Sequence, residues 1–160
     1  MNKEEIYLFL KEKGIEFEIT EHEAVFNMEE LDAVELPYPG RDAKNLFVRD
    51  DKKRNYYLIT VKGDKRVNLK EFRKKHELRN LSFASEEDLM RIMQLSHGSV
   101  SPLGLLNDEE SMVHFYIDSD FCNGIIGVHP NENTATVWLK TIDLISLIDK
   151  HGNDVHIVDF

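Results

Sequence analysis

A short loop bounded by glycine and proline is the first place in this sequence where backbone N–H groups could take part in catalysis. Its residues, GSVSP, run from Gly98 to Pro102. A loop of this composition can aim several backbone N–H groups at one point, where they stabilise a developing negative charge. The same composition is typical of an ordinary connecting turn, so the loop by itself leaves both interpretations open.

A second polar loop precedes a predicted strand. The segment HPNENTAT, residues 129–136, places the imidazole of His129 directly before a proline whose φ is fixed. Side chains that form hydrogen bonds follow it: Asn131, Asn133, Thr134 and Thr136. The pattern fits a binding site or a plain polar turn.

Familiar catalytic and metal-binding motifs are missing from the chain. It has no GxSxG, GxxxxGK[ST], HExxH or GxGxxG pattern, so nothing supports a nucleophile elbow, a P-loop, a zincin or a dinucleotide-binding fold. The single cysteine, Cys122, excludes an internal disulfide and any zinc pattern built on CxxC. The histidines are scattered, and we expect His22 and His76 to be solvated. The sequence therefore predicts neither a metal nor a cofactor.

Three motifs in a fixed order resemble a known superfamily. They are KNLF at 44–47 after a proline-rich loop, GSVSPLG at 98–104, and His129-Pro130 followed by Asn133, Thr134 and Thr136. In this order and at these distances they resemble the aminoacyl-tRNA deacylases of the YbaK/prolyl-tRNA synthetase editing-domain superfamily. KNLF together with GSVSPLG is most similar to the freestanding ProX branch. The match extends from residue 22 to the last predicted helix.

The resemblance implies a role for each matched residue. Lys44 would hold the terminal adenosine of a tRNA and its phosphate, the loop beginning at Gly98 would bind the ester carbonyl oxygen, and His129 would shape the aminoacyl pocket. These three are the predicted catalytic residues. The predicted substrate-binding residues are Asn45, Ser99, Val100, Ser101, Pro102, Asn133 and Thr134. Before the lysine the chain reads Arg41-Asp42-Ala43, where relatives often have a histidine and a threonine, so local substrate contacts should differ.

The implied chemistry needs no covalent nucleophile. An aminoacyl ester is already activated, so a site can hold it beside water and stabilise the oxyanion, and each such donor is typically worth about 10²–10³ in rate. In the family, the vicinal hydroxyl of the terminal ribose is thought to orient the water. Substrate-assisted catalysis of this kind is consistent with a chain in which no Ser/His/Asp set stands out.

The resemblance predicts a trans-editing enzyme that hydrolyses alanine mischarged onto proline tRNA. Its partners would be the acceptor end of that tRNA and, as a second candidate, prolyl-tRNA synthetase, with no DNA and no membrane. Two alternatives stay open. One is a cysteinyl-tRNA(Pro) deacylase of the YbaK branch, which the KNLF and GSVSPLG forms disfavour. The other is a binding module that senses tRNA or an amino acid without turnover.

The elements that must position these motifs form one predicted α+β domain over residues 1–160. Capping signals predict helices that begin after Asn2, Asn27, Asn68 and Ser85, and a last helix opens at Thr141. Runs of β-branched and aromatic residues predict strands at 15–20, 45–50, 55–62, 112–118, 134–140 and 155–160. Because several strands are joined by hairpins, we expect a mixed, mostly antiparallel sheet with flanking helices.

Two of these helices carry apolar stripes that predict their buried faces. Leu89, Ile92 and Met93 form the stripe of the helix after Ser85, which we expect to end near Ser96. Ile142, Ile145 and Ile148 form the stripe of the last helix, and Gly152 lies beyond its end.

Composition and charge limit the class of protein. The 160 residues are 41% hydrophobic and 31% charged, with no apolar run of membrane-spanning length and no signal peptide, so we expect a cytoplasmic globular domain. A net charge of −10 argues against a protein that coats nucleic acid. Between Lys44 and Arg79, however, thirteen Lys and Arg oppose five Asp and Glu, a net +8. This basic segment is either a local polyanion site or a solvated turn and helix face.

Overall fold

Helices and strands are interspersed along the chain in this computed structural model, which describes residues 1–24, 29–30 and 36–160. The helices are α1 Lys3–Glu12, α2 Leu69–Lys75, α3 Glu86–Met93 and α4 Thr141–His151. The strands are β1 Phe17–Glu21, β2 Ala43–Asp50, β3 Tyr56–Lys62, β4 Leu81–Phe83, β5 Val113–Asp118, β6 Ile125–Val128, β7 Ala135–Lys140 and β8 Val155–Val158. The helix predicted after Asn27 lies outside the described residues.

Side-chain caps start three of the helices where the sequence predicts them. The Asn2 side chain accepts a hydrogen bond from the N–H of Glu5 at 2.8 Å, and the Glu5 carboxylate accepts one in return at 3.2 Å. Asn68 caps α2 and Ser85 caps α3 in the same way, each at 3.1 Å. Each cap is typically worth about 1 kcal/mol of helix stability. The end of α3 differs from expectation: it stops at Met93, because Gln94 adopts a left-handed conformation.

Two sheets form rather than one. The first has the order β1-β7-β6 and is antiparallel; the second has the order β4-β2-β3-β5-β8. In the second sheet β4, β2 and β3 pair antiparallel, whereas β3 with β5 and β5 with β8 pair parallel. The α+β class and the mixed, mostly antiparallel pairing are therefore confirmed. Among the described residues, a bridge between Asp42 and Gly127 links the two sheets.

The larger hydrophobic core lies between the sheets, and a smaller one lies on the outer face of the five-stranded sheet. The larger includes Phe47, Leu58 and Phe115 from one sheet and Ile126 and Val137 from the other. The smaller packs Phe72 of α2 against Val48, Ile59 and Tyr116. Because side chains alternate along a strand, neighbouring residues of β2 face different cores.

The apolar stripe predicted for α3 is confirmed, but the one predicted for α4 is wrong at its start. Leu89, Ile92 and Met93 are buried, whereas Ile142 is 70% exposed. Steps of three residues drift around a helix, so positions 142 and 148 lie about 120° apart. The inner face of α4 is formed instead by Thr141, Leu144, Leu147 and Ile148. No helix in the described part of the chain is long and apolar enough to span a membrane.

Candidate functional site

The GSVSP loop connects two short 3₁₀ turns and is tied to the second polar loop. The turns are His97–Ser99 and Pro102–Asn107. Ser101 is fully buried. Its hydroxyl accepts a hydrogen bond from the N–H of Leu103 at 3.2 Å and donates one to the backbone carbonyl of His129 at 2.5 Å. The structure thus brings together the two loops that the sequence indicates.

Backbone donors are available in this loop. The N–H of Ser99 donates to the carbonyl of Ser96 at 3.0 Å. Within residues 1–24, 29–30 and 36–160, nothing accepts a hydrogen bond from the N–H of Gly98 or of Ser101. Gly98 is half-buried, so a bound oxygen atom could reach its amide, whereas Ser101 is fully buried and its amide could contact a ligand only after the loop shifts.

His129 is half-buried and held by its Nδ1 atom. That atom lies 2.9 Å from the backbone carbonyl of Ala135, which can only accept, so Nδ1 carries the hydrogen and the neutral ring presents Nε2 as an acceptor. Burial lowers the pKa of His129, the hydrogen bond to Ala135 opposes this, and the charge of a protonated His22 lowers it further. His129 is therefore a neutral, oriented imidazole at neutral pH.

The segment after His129 is a polar turn with most of its groups already engaged. Asn131 has a left-handed φ of 64° and donates from Nδ2 to the carbonyl of Met1 at 3.0 Å. The Thr134 hydroxyl donates to Glu132 at 3.4 Å and accepts from the amine of Lys3 at 3.3 Å. Asn133 is half-buried. The Thr134 hydroxyl thus bonds to two charged side chains and not to the GSVSP loop.

His22 is the residue of this site that the sequence interpretation missed. We expected it to be solvated, but it is half-buried, and its ring lies between the carbonyl of Glu23 at 2.8 Å and the Thr136 hydroxyl at 3.0 Å. Its ring centroid is 6.1 Å from that of His129. The pairing of β1 with β7 creates this contact across 114 residues, so no local pattern could have shown it.

Asn45 joins the site from β2. Its amide Nδ2 lies 3.4 Å from the carbonyl of Val100, and its Oδ1 accepts a hydrogen bond from the Thr60 hydroxyl at 2.6 Å. Thr60 is fully buried and sits opposite Asn45 in β3. The strand pair thus fixes the amide orientation of Asn45 beside the GSVSP loop.

Lys44 lies on the opposite face of the same strand. Its amine donates to the backbone carbonyl of Lys65 rather than to the GSVSP loop or His129. Burial lowers the pKa of Lys44, the charge of Arg66 lowers it further, and Asp64 opposes both. Lys65 is itself fixed by ion pairs to Asp118 at 2.8 Å and Asp120 at 2.6 Å. The structure does not place the Lys44 amine in contact with the other predicted catalytic residues.

The residues before Lys44, which differ from those often found in relatives, include an arginine with a structural role. The Arg41 guanidinium donates to the backbone carbonyls of Ile125 at 2.7 Å, Phe121 at 2.9 Å and Asp120 at 3.1 Å. A Cβ at Gly124 would lie 2.4 Å from its Nη2 atom, so glycine makes room for this arginine. Arg41 therefore fastens the loop before β6, next to the bridge between the two sheets.

Ion pairs neutralise part of the basic segment. Arg49 pairs with Asp88, Lys65 with Asp118 and Asp120, and Arg79 with Asp51 at 2.6 Å. Residues 52–54, at the turn between β2 and β3, are exposed, as are Lys74 and Lys75 in the last turn of α2. Exposed basic residues thus remain at the hairpin turn and on α2, and Arg66, between β3 and α2, is exposed as well.

Comparison with known proteins identifies the family to which this arrangement belongs. Residues 22–147 match the model of the aminoacyl-tRNA editing domain. The chain belongs to that family. The prolyl-tRNA editing protein ProX of Acetoanaerobium sticklandii is 36% identical to this editing domain over 152 residues, covering 94% of this chain and 93% of that protein. A mouse prolyl-tRNA synthetase associated domain-containing protein 1 is 34% identical, covering 92% and 89% respectively.

Solved structures share the fold of this editing domain. One, a proposed trans-editing enzyme for prolyl-tRNA synthetase, superposes with a TM-score of 0.69 at 18% identity and covers 99% of this chain and 96% of its own. The superfamily resemblance read from KNLF, GSVSPLG and His129-Pro130 is thus confirmed, and so is the fold. In the described part of this editing domain, no three His, Cys, Asp or Glu side chains are grouped to hold a metal ion.

Proposed function

We propose that this editing-domain protein hydrolyses the ester of alanyl-tRNA(Pro) in trans, in the cytoplasm. The observation that supports this most directly is the convergence of the GSVSP loop on His129 and Asn45. Ser101 bonds to the His129 carbonyl at 2.5 Å, and Asn45 lies 3.4 Å from the Val100 carbonyl. Similarity to ProX over 94% of the chain supports the assignment of the substrate.

The loop would act on the carbonyl of the ester. In the proposed reaction a water oxygen attacks the carbonyl carbon and gives up a proton, the bond from that carbon to the ribose oxygen breaks, and the ribose oxygen takes up a proton, which leaves free alanine and uncharged tRNA. The N–H groups of the GSVSP loop, beginning with that of Gly98, would stabilise the oxyanion between these steps. Each such donor contributes about 10²–10³ in rate, so the site needs no nucleophilic side chain.

The amino-acid end of the substrate would lie against His129. A neutral imidazole with an acceptor at Nε2 suits a pocket that holds an aminoacyl group without reacting with it. Ser99, Val100, Pro102, Asn133 and Thr134 would supply the remaining contacts. The GSVSP loop is held to His129 through Ser101 and lies beside Asn45, and its position would set the width of the pocket.

The 3′ end of the tRNA would be held through Lys44. Its amine now donates to the Lys65 carbonyl, so binding a phosphate would exchange a neutral acceptor for an anionic one. A nearby anion favours the charged form of a lysine, which would reverse the lowered pKa of Lys44. This exchange would couple arrival of the tRNA end to a local rearrangement of the lysine.

Such an activity fits a need that binding alone does not meet. A synthetase pocket built for proline rejects a smaller amino acid by only about 10–200-fold for each missing methylene-sized contact. A second site that admits alanine and excludes proline would remove the error. The partner would be the acceptor end of tRNA(Pro), with prolyl-tRNA synthetase as a second proposed partner.

The test is a deacylation panel with purified protein on alanyl-, cysteinyl-, seryl- and prolyl-tRNA(Pro). We expect rapid loss of alanine and survival of proline, unchanged by EDTA. Preferential hydrolysis of the cysteinyl ester would assign the protein to the cysteine-clearing branch. Tight tRNA binding without hydrolysis of any ester would make it a sensor. Repeating the panel with prolyl-tRNA synthetase added shows whether that partner raises the rate.

A further inference from the structure

His22 is hydrogen-bonded to the segment Thr134–Thr136, in which the Ala135 carbonyl accepts a hydrogen bond from the His129 ring. Its backbone N–H donates to the carbonyl of Thr134 at 3.0 Å, and its ring Nε2 lies 3.0 Å from the Thr136 hydroxyl. Between these two anchors is Ala135, whose carbonyl accepts from Nδ1 of His129 at 2.9 Å. His22 therefore holds both neighbours of the residue that orients His129.

The hydrogen bonds of His22 determine its tautomer. The Glu23 carbonyl can only accept, so the Nδ1 atom of His22 carries a hydrogen. In the neutral ring, Nε2 then accepts from the hydroxyl of Thr136, which is 2% exposed. Protonating His22 would force that hydroxyl to turn around and become the acceptor. The tautomer of His22 is thus set by Glu23 on one side and Thr136 on the other.

The two rings also interact through charge. Their centroids are 6.1 Å apart at 61°, and a protonated His22 opposes protonation of His129. The charged groups of the adjoining elements are Glu21 and Glu23 around the end of β1, Lys3 of α1, and Glu132 of the turn. The Lys3 amine donates to Glu21 at 3.2 Å and to Thr134 at 3.3 Å, so the Glu21 carboxylate partly neutralises its positive charge at the edge of the site.

We infer that His22 is a positioning residue for His129. It acts through Thr136 and Ala135, the first residues of β7, to hold the imidazole of His129 in one orientation. The inference that His22 orients the His129 ring depends only on the hydrogen bonds described above. Its kinetic part rests on the proposed deacylase function. The two parts are tested by separate measurements, so that failure of one is distinguishable from failure of the other.

The structural part is tested on the free protein by long-range ¹H–¹⁵N NMR of the histidine rings during a pH titration. In the wild type we expect the Nδ1–H tautomer of His129. In His22→Asn, whose amide can still reach the Glu23 carbonyl but not Thr136, we expect mixed tautomers and a higher pKa for His129. Thr136→Val removes the hydroxyl without changing its shape, and should mix the tautomers in the same way. His114→Asn, a half-exposed histidine in β5 of the other sheet, is the matched control.

Unchanged His129 signals in both His22→Asn and Thr136→Val would overturn the inference, whatever the protein does to tRNA. If His22→Asn fails to fold, Thr136→Val alone decides the question. The kinetic part compares kcat and KM for alanyl-tRNA(Pro). A misplaced group can lower the rate by up to about 100-fold, so we expect a fall in kcat with little change in KM. Partial rescue by His22→Gln, whose longer amide can reach Thr136, supports positioning; equal loss in Asn and Gln variants contradicts it.

Discussion

The hydroxyl of Ser101 donates a hydrogen bond to the backbone carbonyl of His129 across 28 residues of sequence. Because Ser101 is fully buried, Ser101→Ala removes a buried hydrogen bond from that carbonyl and from the N–H of Leu103. We expect Ser101→Ala to lower the free energy of unfolding by about 1–3 kcal/mol. Urea unfolding measures this. Ser96→Ala, an exposed serine outside the loop, should change stability little.

The same substitution should affect turnover beyond its effect on stability. If Ser101 holds the loop against His129, then at a temperature where both proteins are folded, Ser101→Ala should deacylate alanyl-tRNA(Pro) more slowly and discriminate less against prolyl-tRNA(Pro). Single-turnover assays with both esters give the ratio. A variant that is less stable but equally fast and selective would show that the contact between the loops is purely structural.

The position of Lys44 on the outer face of β2 predicts a binding role rather than a role at the ester. We expect Lys44→Ala to weaken tRNA affinity more than it slows hydrolysis of saturating substrate, since its amine contacts Lys65 and not the GSVSP loop. Titration of binding and measurement of kcat separate the two effects. Cys122→Ser, at a half-buried cysteine, should change neither. Activity that depends on Cys122 and not on Lys44 would require covalent catalysis.

The last turn of α2 should contribute to tRNA binding. This helix packs through Phe72 onto the outer face of the five-stranded sheet, the face on which Lys44 also lies. Replacing Arg73, Lys74 and Lys75 together by Gln should weaken tRNA affinity and flatten its dependence on salt. The slope of log affinity against log salt should change by about 0.7–0.9 for each phosphate that the variant no longer neutralises.

A matched control for that experiment lies at the hairpin turn. Lys52, Lys53 and Arg54 are exposed, and changing all three to Gln removes the same charge. Equal salt slopes for the two triple variants would assign both clusters to general electrostatics. An unaltered slope in the α2 variant would assign its basic residues to solvent. Hydrolysis of a minimal aminoacyl-adenosine, too short to reach α2, should be the same in all three proteins.

Acidification should destabilise the protein through His129. Burial lowers the pKa of this imidazole, so below the ordinary histidine value the unfolded chain binds a proton that the folded chain does not. Stability from the neutral ring is therefore complete above a pH of about 6.5 and falls as the pH decreases toward the lowered pKa of His129. Urea unfolding between pH 7.5 and 5.5 should show a smaller decrease for His129→Asn than for the wild type. An identical decrease would mean that other groups control the pH dependence.

Gly127 should tolerate no side chain. A Cβ at this position in β6 would lie 2.4 Å from the ring of Trp138, which is 1% exposed. Gly127→Ala should therefore lower the free energy of unfolding by about 1–3 kcal/mol through overpacking. Trp138 is the only tryptophan of the chain, so its fluorescence reports unfolding and local repacking together. In a Trp138→Phe background, where urea unfolding is followed by circular dichroism because the tryptophan is gone, the smaller ring should reduce the penalty of Gly127→Ala. Equal penalties in both backgrounds would place the strain elsewhere.

Local signals predicted much of this molecule because they depend on neighbours in sequence. Three helices begin after Asn2, Asn68 and Ser85. Each of these starts is predictable because the polar side chain accepts a hydrogen bond from the backbone N–H three residues later. The GSVSP and HPNENTAT loops were recognisable because their residue types restrict or release the backbone over a few positions. Their meeting through Ser101 and His129 depended on the resemblance, since periodicity does not report which loops converge.

Features created by strand pairing could not be predicted in this way. The contact of His22 with Thr136 arises from the register of β1 on β7, and the opposite placement of Lys44 and Asn45 from the phase of β2. Asp42 and Gly127 form a bridge between the two sheets, and no pattern of apolar residues marks this contact. The exposed Ile142 shows that a stripe counted in threes drifts away from the core.

The pairing of Phe17 with Leu139 at the other end of the chain also determines when the site can exist. A chain being synthesised has made β1 and His22 long before β7, so His22 has no Thr136 to contact until most of the protein has left the ribosome. Contacts of such high sequence separation are slow to form, because the loop must close before they contribute. The proposed editing site is therefore a late product of folding. We expect nascent chains that end before residue 135 to lack it, even though their GSVSP loop is already complete.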